Sequence, residues 1–482
     1  MANERKVGAA ALLSYGCGDL YGGGSFLIIS TLFIFFLTDL VGLKPAMAGL
    51  VVFAGKAWDA VSDPLMGCIS DRTRSRLGRR RVYFLAGIVP VFASFALLWL
   101  SVRTGNPTLD FLYYLGAYML FATVSTMVMI PYSTLPTEMT HDYRERTRLS
   151  GSRMIFSQLS SILAGTLPGY LVKNLYREDP GRGFLVMGLG FGLFFALPWL
   201  LVYRGTWELP ESERRMPSAS LAASFRDTGS LLRCRSFRLH VGLYLAGYSA
   251  IDILSALFIY FLSYYVGRSE AYTLCLGSML IAQLLALPAY LAFANRFGKG
   301  RAYALGALVF LLGSAAFAAV GPGAPTALLL GLSAALGLGL SAVAAMPWAM
   351  LPESADADEL ARGIQRSGAV SGAFTLARKL VQAAMLWLVG ILLQAIGYVP
   401  GAAQPPGTLL GLRLLFTLAP VALVALGGLL ALRYPVSPAS FAALRAELER
   451  RRAGSSGQTP EAERVELERI TGQPYAQMGA GR

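Results

Sequence analysis

The sequence predicts an all-α integral membrane protein: twelve transmembrane helices arranged as two six-helix pseudo-repeats. Three observations predict it. Apolar runs of about 20 residues or more, each long enough to cross roughly 30 Å of hydrocarbon as a helix, recur along the whole chain. Basic residues gather in alternate loops between those runs. A proline motif near the end of the fourth run returns near the end of the tenth. Composition agrees, because 55% of residues are hydrophobic and 15% charged, with positive mean hydropathy. That is more apolar surface than one water-bounded core could hide.

Taken in order, the predicted spans of the first half are Ala9 to Thr38, Ala46 to Cys68, Val82 to Val102, Phe111 to Leu135, Gly151 to Val172 and Phe184 to Tyr203. Those of the second half are Leu239 to Val266, Ala271 to Ala294, Ala302 to Val320, Pro325 to Leu351, Ala369 to Ile396 and Leu409 to Leu432. The chain thus divides into a first bundle (1–203), a polar middle loop (204–238), a second bundle (239–432) and a charged tail (433–482). In the tail, Pro438 to Arg452 and Pro460 to Ile470 read as short charged helices around a Gly454-Ser455-Ser456-Gly457 linker, a solvated cytoplasmic extension without chemistry of its own.

A net charge of +14 would suggest a nucleic-acid partner in a soluble chain, but here it is spread over alternate loops. Arg5 and Lys6 precede the first span; Arg72, Arg74, Arg76, Arg79, Arg80 and Arg81 follow the second; Arg144, Arg146 and Arg148 follow the fourth. The middle loop carries Arg204, Arg214, Arg215, Arg226, Arg233, Arg235 and Arg238, and Arg296, Lys299 and Arg301 follow the eighth span. Loops such as Gly321 to Thr326 and Tyr398 to Thr408 hold no basic residue. The positive-inside rule puts both termini in the cytoplasm and the protein in the cell membrane, with lipid as partner and no nucleic acid. The first span is too long for a signal-peptide core, so no cleavage is expected. Cys17, Cys68, Cys234 and Cys275 lack metal-ligand spacing and read as small packing residues, and His141 and His240 are isolated. No cofactor and no enzymatic site is expected, since no nucleophile-base set or phosphate-binding glycine loop is present.

The repeat is legible in two places. Ile130-Pro131-Tyr132-Ser133-Thr134-Leu135-Pro136 is matched by Met346-Pro347-Trp348-Ala349-Met350-Leu351-Pro352, with the same proline-leucine-proline spacing and an aromatic after the first proline. The basic loop from Asp71 to Arg81 is echoed by Asn295 to Arg301. Two six-helix halves repeated in parallel are the architecture of the major facilitator fold, with the substrate cavity between them.

An ionisable side chain inside a span costs roughly 2.5 to 3.5 kcal/mol on insertion scales, so each is a functional candidate. The second span holds Lys56, Asp59 and Asp63, whose spacings of three and four put them on one helix face. Two carboxylates one turn apart, with the Ser62 hydroxyl nearby, suit a small hard cation or a shared proton; a structural Lys-Asp pair is the blander alternative. The other buried charges are Asp19, Arg153, Asp252 and Lys379. Lys379 either lines the cavity or snorkels to the cytoplasmic surface, and Asp19 and Asp252 either meet substrate or join helices. The Gly78-Arg79-Arg80-Arg81 cluster mainly sets topology.

Several motifs resemble the glycoside-pentoside-hexuronide (GPH):cation symporter family of the major facilitator superfamily, in its melibiose permease-like form. They are Tyr15-Gly16-Cys17-Gly18-Asp19, Thr38-Asp39-Leu40-Val41-Gly42-Leu43, Trp58-Asp59-Ala60-Val61-Ser62-Asp63-Pro64, Asp71-Arg72-Thr73-Arg74 and Ile130-Pro131-Tyr132, and the resemblance covers both halves. It implies that Asp59 and Asp63 bind the coupling cation, Na+ or H+, with Ser62 and Thr126. It implies coupling or substrate roles for Lys56, Arg153 and Lys379, to which Asp19, Tyr132, Asp252 and Trp348 are added as substrate-side candidates. The sugar side departs from the pattern. Met129 and Gly23 stand where the family has aspartates, and Tyr132-Ser133 stands in place of a sugar-stacking tryptophan. A thioether cannot accept the hydrogen bonds a carboxylate takes from sugar hydroxyls, so the departure bears on sugar identity and leaves the cation set intact.

The expectation is therefore a monomeric secondary transporter, a cation-coupled symporter of a sugar or glycoside working by alternating access. Two rivals stand beside it: a lysolipid symporter of the same superfamily, to which Met129 and the Pro347–Pro352 segment lean, and a transporter-like sensor without flux.

Overall fold

The computed structural model describes residues 7–140, 143–208, 231–363, 367–452 and 459–479. Arg5, Lys6, His141, Arg214, Arg215, Arg226 and the Gly454–Gly457 linker lie outside the described residues, as do the side chains of Asp71, Arg144 and Arg146. Among the described residues every regular element is helical.

The first predicted span is helical but not continuous. Helix α1 (Ala9–Gly16) and helix α2 (Asp19–Ile28) are separated at Cys17 and Gly18, and wide π turns follow at Ile29–Phe33 and Phe36–Val41. A stretch containing Gly16, Gly18, Gly22, Gly23 and Gly24 is a weak helix former in its own right. Close approach explains why glycine stands at Gly23: a Cβ there would lie 2.4 Å from the Ser157 carbonyl oxygen. Helix α6 (Tyr143–Tyr170) therefore lies against the backbone of this segment. Its Ser152 and Ser160 hydroxyls donate to the carbonyls of Leu12 and Leu20 at 2.6 and 2.5 Å. Small residues and hydroxyls are how helices associate where lipid offers no hydrophobic driving force.

Helix α3 (Pro45–Arg72) carries the charged face, and helix α5 (Pro107–Met139) is its neighbour. Their separation is set by Gly55, whose Cβ would meet the fully buried Tyr118 ring at 1.9 Å. Helices α4 (Arg81–Leu98), α7 (Pro180–Ala196) and α8 (Pro198–Gly205) complete the first half. The second half consists of α9 (Arg235–Tyr260), α10 (Tyr272–Phe297), α11 (Lys299–Ala318), α12 (Thr326–Arg362), α13 (Ser367–Ala395) and α14 (Pro406–Leu432). Among the described residues, 9 helices are long and apolar enough to cross a membrane. The three other predicted spans are helical as well, but the first is broken, the second is charged, and α6 is too polar along its length. Polar and charged residues within a span face protein or water, so these three mark where the helices are not simply lipid-facing.

The chain forms two compact units: Met1–Pro217 with Ser255–Gly277 and Ala383–Leu412, and Ser218–Leu254 with Ser278–Gln382 and Arg413–Arg482. In the first unit, Asp39 at the end of the first span accepts hydrogen bonds from the hydroxyls of Tyr264, Tyr398 (2.6 Å) and Thr38 (2.6 Å), and Thr38 also pairs with Tyr260 at 2.8 Å. The basic loop of this unit is bound down too. Arg79 and Arg80 both pair with Glu138, and the backbone N–H groups of Arg79, Arg80 and Arg81 donate to Glu208 at 2.9, 2.9 and 3.0 Å. In the second unit the echo of that loop does the same: Lys299 pairs with Glu353 at 2.6 Å. Each basic loop is thus joined to a glutamate just beyond its half's proline motif, and both proline pairs lie inside a continuous helix, α5 and α12.

The tail corrects one expectation. Helix α15 (Pro438–Arg452) and helix α16 (Glu461–Thr471) are not a solvated extension but pack onto α12, burying Leu444, Leu467 and Ile470. Ser236 on α9 donates to the Ile470 carbonyl, and the Gly479 N–H reaches the Ala361 carbonyl at 3.1 Å. Glu447 sits at the centre, accepting from Tyr475 (2.6 Å), Arg451 (2.7 Å) and Thr459 (2.8 Å). Sequence alone hid this because the tail's few apolar residues are spaced among many charges, and only the partner surface on α12 shows where they go.

Gly55→Val forces α3 away from α5 and costs about 1–3 kcal/mol, visible as a lowered melting temperature in detergent. Leu467→Asp places a charge in the tail's buried seam and releases the tail to limited proteolysis while the membrane bundle stays folded. Burial pushes the Glu447 carboxyl up, but its hydrogen bonds from Tyr475, Arg451 and Thr459 outweigh this and hold it below its ordinary 4.5. Its stabilisation is therefore present above that value and lost as pH falls through the lower folded value, so proteolysis of the wild-type tail should accelerate only in that acid range.

Candidate functional site

The charged face of α3 packs inward. Lys56, Asp59 and Ser62 are buried, and Asp63 is half-buried. Thr126 on α5, also buried, donates to the Asp63 carboxylate at 2.7 Å, and the Ser62 and Thr126 hydroxyls lie 3.2 Å apart. The Lys56 ammonium stands 4.2 Å over the ring of Phe26 on α2, a cation–π contact that shelters its charge on the apolar side. One turn earlier on α5, Thr123 accepts from the Trp58 indole at 2.9 Å, so the two helices are pinned in register above the oxygen cluster. Ser62, Asp63 and Thr126 are brought together by direct bonds, with Asp59 and Lys56 on the same helix. Among the described residues no group of three or more His, Cys, Asp and Glu side chains gathers as a transition-metal site would. The Asp63 carboxylate with the Ser62 and Thr126 hydroxyls, and Asp59 one turn away on α3, are instead oxygen donors, the type that suits a hard monovalent cation or a proton.

A second group lies beside it in the same unit. Asp19 at the start of α2 is buried and pairs with Arg153 of α6 at 3.2 Å. The guanidinium rests 5.2 Å over the Tyr132 ring, and its side chain keeps 32% of its surface exposed. Both Asp19 and the Met129 methyl lie against Gly22, within 3 Å of where its Cβ would be, so the acid stands beside that thioether. Gly23 has no room for a side chain, for the reason given above. Tyr132 is fully buried, stacked 4.6 Å from Tyr15 and edge-on to Trp199. Its ring supports Arg153 and presents no free face to a ligand.

The second unit carries Asp252, Trp348 and Lys379. Asp252 on α9 is buried and takes a two-pronged pair from Arg378 on α13, at 2.6 and 2.8 Å, and a third bond from Gln382 at 3.1 Å. Arg378 lies 4.8 Å over the Tyr248 ring, and the Tyr248 hydroxyl accepts from the Trp348 indole at 2.7 Å. Asp252 and Trp348 therefore belong to one group through Arg378 and Tyr248. Lys379 is half-buried on α13. His240 is buried and structural: it bonds the Pro347 carbonyl at 2.7 Å through Nε2 and the Ser354 hydroxyl at 2.9 Å through Nδ1, tying α9 to α12.

Sequence reasoning passed over Arg378 and Gln382. The signal was available: Arg378 is a full charge in the same apolar run as Lys379, and a buried Asp252 requires a cation partner. Tyr248 carried no signal, because a tyrosine in an apolar span is usually core packing.

A family model described as MFS/sugar transport protein matches residues 14–438. An uncharacterized symporter of Synechocystis is 29% identical, over 93% of this chain and 98% of the relative. The glucuronide carrier protein homolog of Escherichia coli is 23% identical, over 93% and 97%. The sodium-dependent lysophosphatidylcholine symporter 1-A of Danio rerio is 26% identical, over 86% and 84%. Among solved structures, a bacterial homolog of the human lysosomal transporter Spinster, inward-facing and unoccupied, matches in fold with a TM-score of 0.62 at 15% identity, over 91% of this chain and 96% of that one. The protein is a multi-pass membrane transporter rather than an enzyme, and with nearly its whole length matched it belongs to the MFS/sugar transport protein family.

Proposed function

We propose that the chain is a secondary active symporter that uses the gradient of a coupling cation, Na+ or H+, to move a sugar or glycoside by alternating access. The observation that carries this reading is the hydrogen-bonded set of Ser62, Asp63 and Thr126 across the tight α3–α5 contact, with the buried Asp59 one turn earlier on α3. Two carboxylates one turn apart in a low dielectric favour positive charge near them, so a small cation entering there is held by charge as well as by the hydroxyl oxygens. If sodium is the coupling ion, Asp59 and Asp63 are its charged ligands and Ser62 and Thr126 its neutral ones.

Coupling then runs along α5. Thr126 senses the cation, and one to two turns further on the same helix stand Met129 and Tyr132, beside Asp19 and Arg153. Cation binding that fixes this stretch prepares the substrate-side pair, a reciprocal effect in which substrate strengthens cation binding by the same factor. The bundles 1–203 and 239–432, joined by the middle loop 204–238, alternate in opening to the two sides of the cell membrane, with both termini cytoplasmic and the chain acting as a monomer.

A second reading is favoured by Met129. An apolar thioether beside Asp19 suits an amphiphile better than a sugar hydroxyl, and a sodium-dependent lysolipid symporter is among the relatives.

The reading is checked by uptake in proteoliposomes under an imposed Na+ or pH gradient, with labelled glycosides and a lysophosphatidylcholine. Wild type is expected to accumulate glycoside only with the gradient, and Asp59→Asn to abolish accumulation. Flux of every substrate without any gradient dependence would sink the cation site. Thr126→Ala removes one neutral ligand and leaves both charges, so the cation concentration for half-maximal uptake should rise about tenfold, a loss of one hydrogen bond to a charged group.

A further inference from the structure

We infer that Trp348, Tyr248, Arg378 and Gln382 form a subsite for an uncharged sugar ring, which stacks on the indole while Arg378 and Gln382 bond its hydroxyls. The inference rests on the sugar-transport reading above and specifies where the ring sits and what charge it carries.

The repeat supplies the first argument. Tyr132 and Trp348 are the equivalent aromatics of the two proline motifs, yet Tyr132 is fully buried while Trp348 leaves 42% of its surface exposed. The first half has lost its stacking face, and the second half offers one. Nothing about the indole is loose: it meets Tyr244 and Phe374 edge-on at 5.7 and 5.4 Å, and its N–H is committed to Tyr248. Tyr244 and Phe374 are themselves stacked at 3.7 Å. A rigid aromatic with one open face is what the C–H side of a pyranose ring stacks against.

Tyr248 supplies the second. Its hydroxyl holds the indole and donates to the Ala344 carbonyl at 3.1 Å, while its ring holds the Arg378 guanidinium. One residue therefore fixes the stacking face and the polar group relative to each other. A charge pair within a span turns to protein or water and not to lipid, and the same Tyr248 holds that pair's guanidinium and this partly exposed indole, so the indole stands beside a polar group.

The third argument concerns charge. Asp252 takes two of the five N–H groups a guanidinium carries, and Gln382 completes the carboxylate's partners. The Asp252–Arg378 pair is neutral, and among the described residues its bonds leave other guanidinium N–H groups of Arg378 and the amide oxygen of Gln382 for hydroxyls. Hydroxyls can use such donors without any unbalanced charge. An anionic substituent would have to compete with Asp252 for a guanidinium already neutralised, which a buried carboxylate makes costly.

The test uses full-length protein in proteoliposomes, with methyl and nitrophenyl glucosides, galactosides and xylosides, the matching glucuronides, and a lysophosphatidylcholine. Wild type should take neutral glycosides in preference to the glucuronides. Trp348→Leu should raise KM about tenfold with kcat largely kept, and Gln382→Ala should raise KM as well. Trp348→Phe, which keeps a ring, guards against misfolding: it should stay within about threefold of wild-type KM but lose the change in tryptophan fluorescence that methyl glycoside produces in wild type. The subsite is overturned if wild type carries neutral glycosides while Trp348→Leu leaves KM unchanged, or if Trp348→Phe keeps the fluorescence change. Exclusive uptake of glucuronides overturns the uncharged assignment alone. Uptake of lysolipid and no glycoside overturns the sugar reading itself, and the subsite with it.

Discussion

Everything the candidate site does depends on how closely α3 approaches α5. Lipid gives two apolar helices no reason to meet beyond packing and hydrogen bonding, so the approach has to be built from the residues at the seam. Gly55 removes the side chain that would collide with Tyr118, and the indole of Trp58 and hydroxyl of Thr123 lock the register. Only at that separation does Thr126 reach both Ser62 and Asp63. A wider seam would cost Asp63 its bond from Thr126, and a half-buried carboxylate that loses a hydrogen bond destabilises the fold.

The same constraint shapes the second unit, where the solution is different. There the buried acid, Asp252, is satisfied by protein alone through Arg378 and Gln382. In the first unit Asp63 is met by the hydroxyl of Thr126, whereas in the second Asp252 is met by the guanidinium of Arg378. On the proposed reading this asymmetry divides the labour, the first half holding the cation and the second the sugar ring. Tyr132 and Trp348 follow it, the first buried as a support for Arg153, the second exposed.

The cytoplasm-predicted loops and tail behave as structure. Glu138 and Glu353 each receive the basic loop of their own half, so residues that sequence reading assigns to topology also clamp the ends of α5 and α12. The tail seals further against α12 and α9 through Leu467, Ile470 and Ser236. The long helix α12 thus joins the proline motif, the ion pair and the tail in one element.

The sequence by itself determined the class of the molecule. Hydrophobic runs, alternating loop charge and the doubled proline motif are local or periodic properties, and lipid leaves a chain with those properties only a helical bundle. It determined the candidate cation face for the same reason, since Lys56, Asp59 and Asp63 lie within two turns and helix geometry alone aligns them. Tertiary structure decided the rest. Thr126 lies more than sixty residues from Asp63, Arg378 well over a hundred from Asp252, and Trp348 a hundred from Tyr248. Which of several possible partners a buried charge meets depends on helix rotation and spacing, and these are set by packing between helices whose apolar residues look alike in sequence.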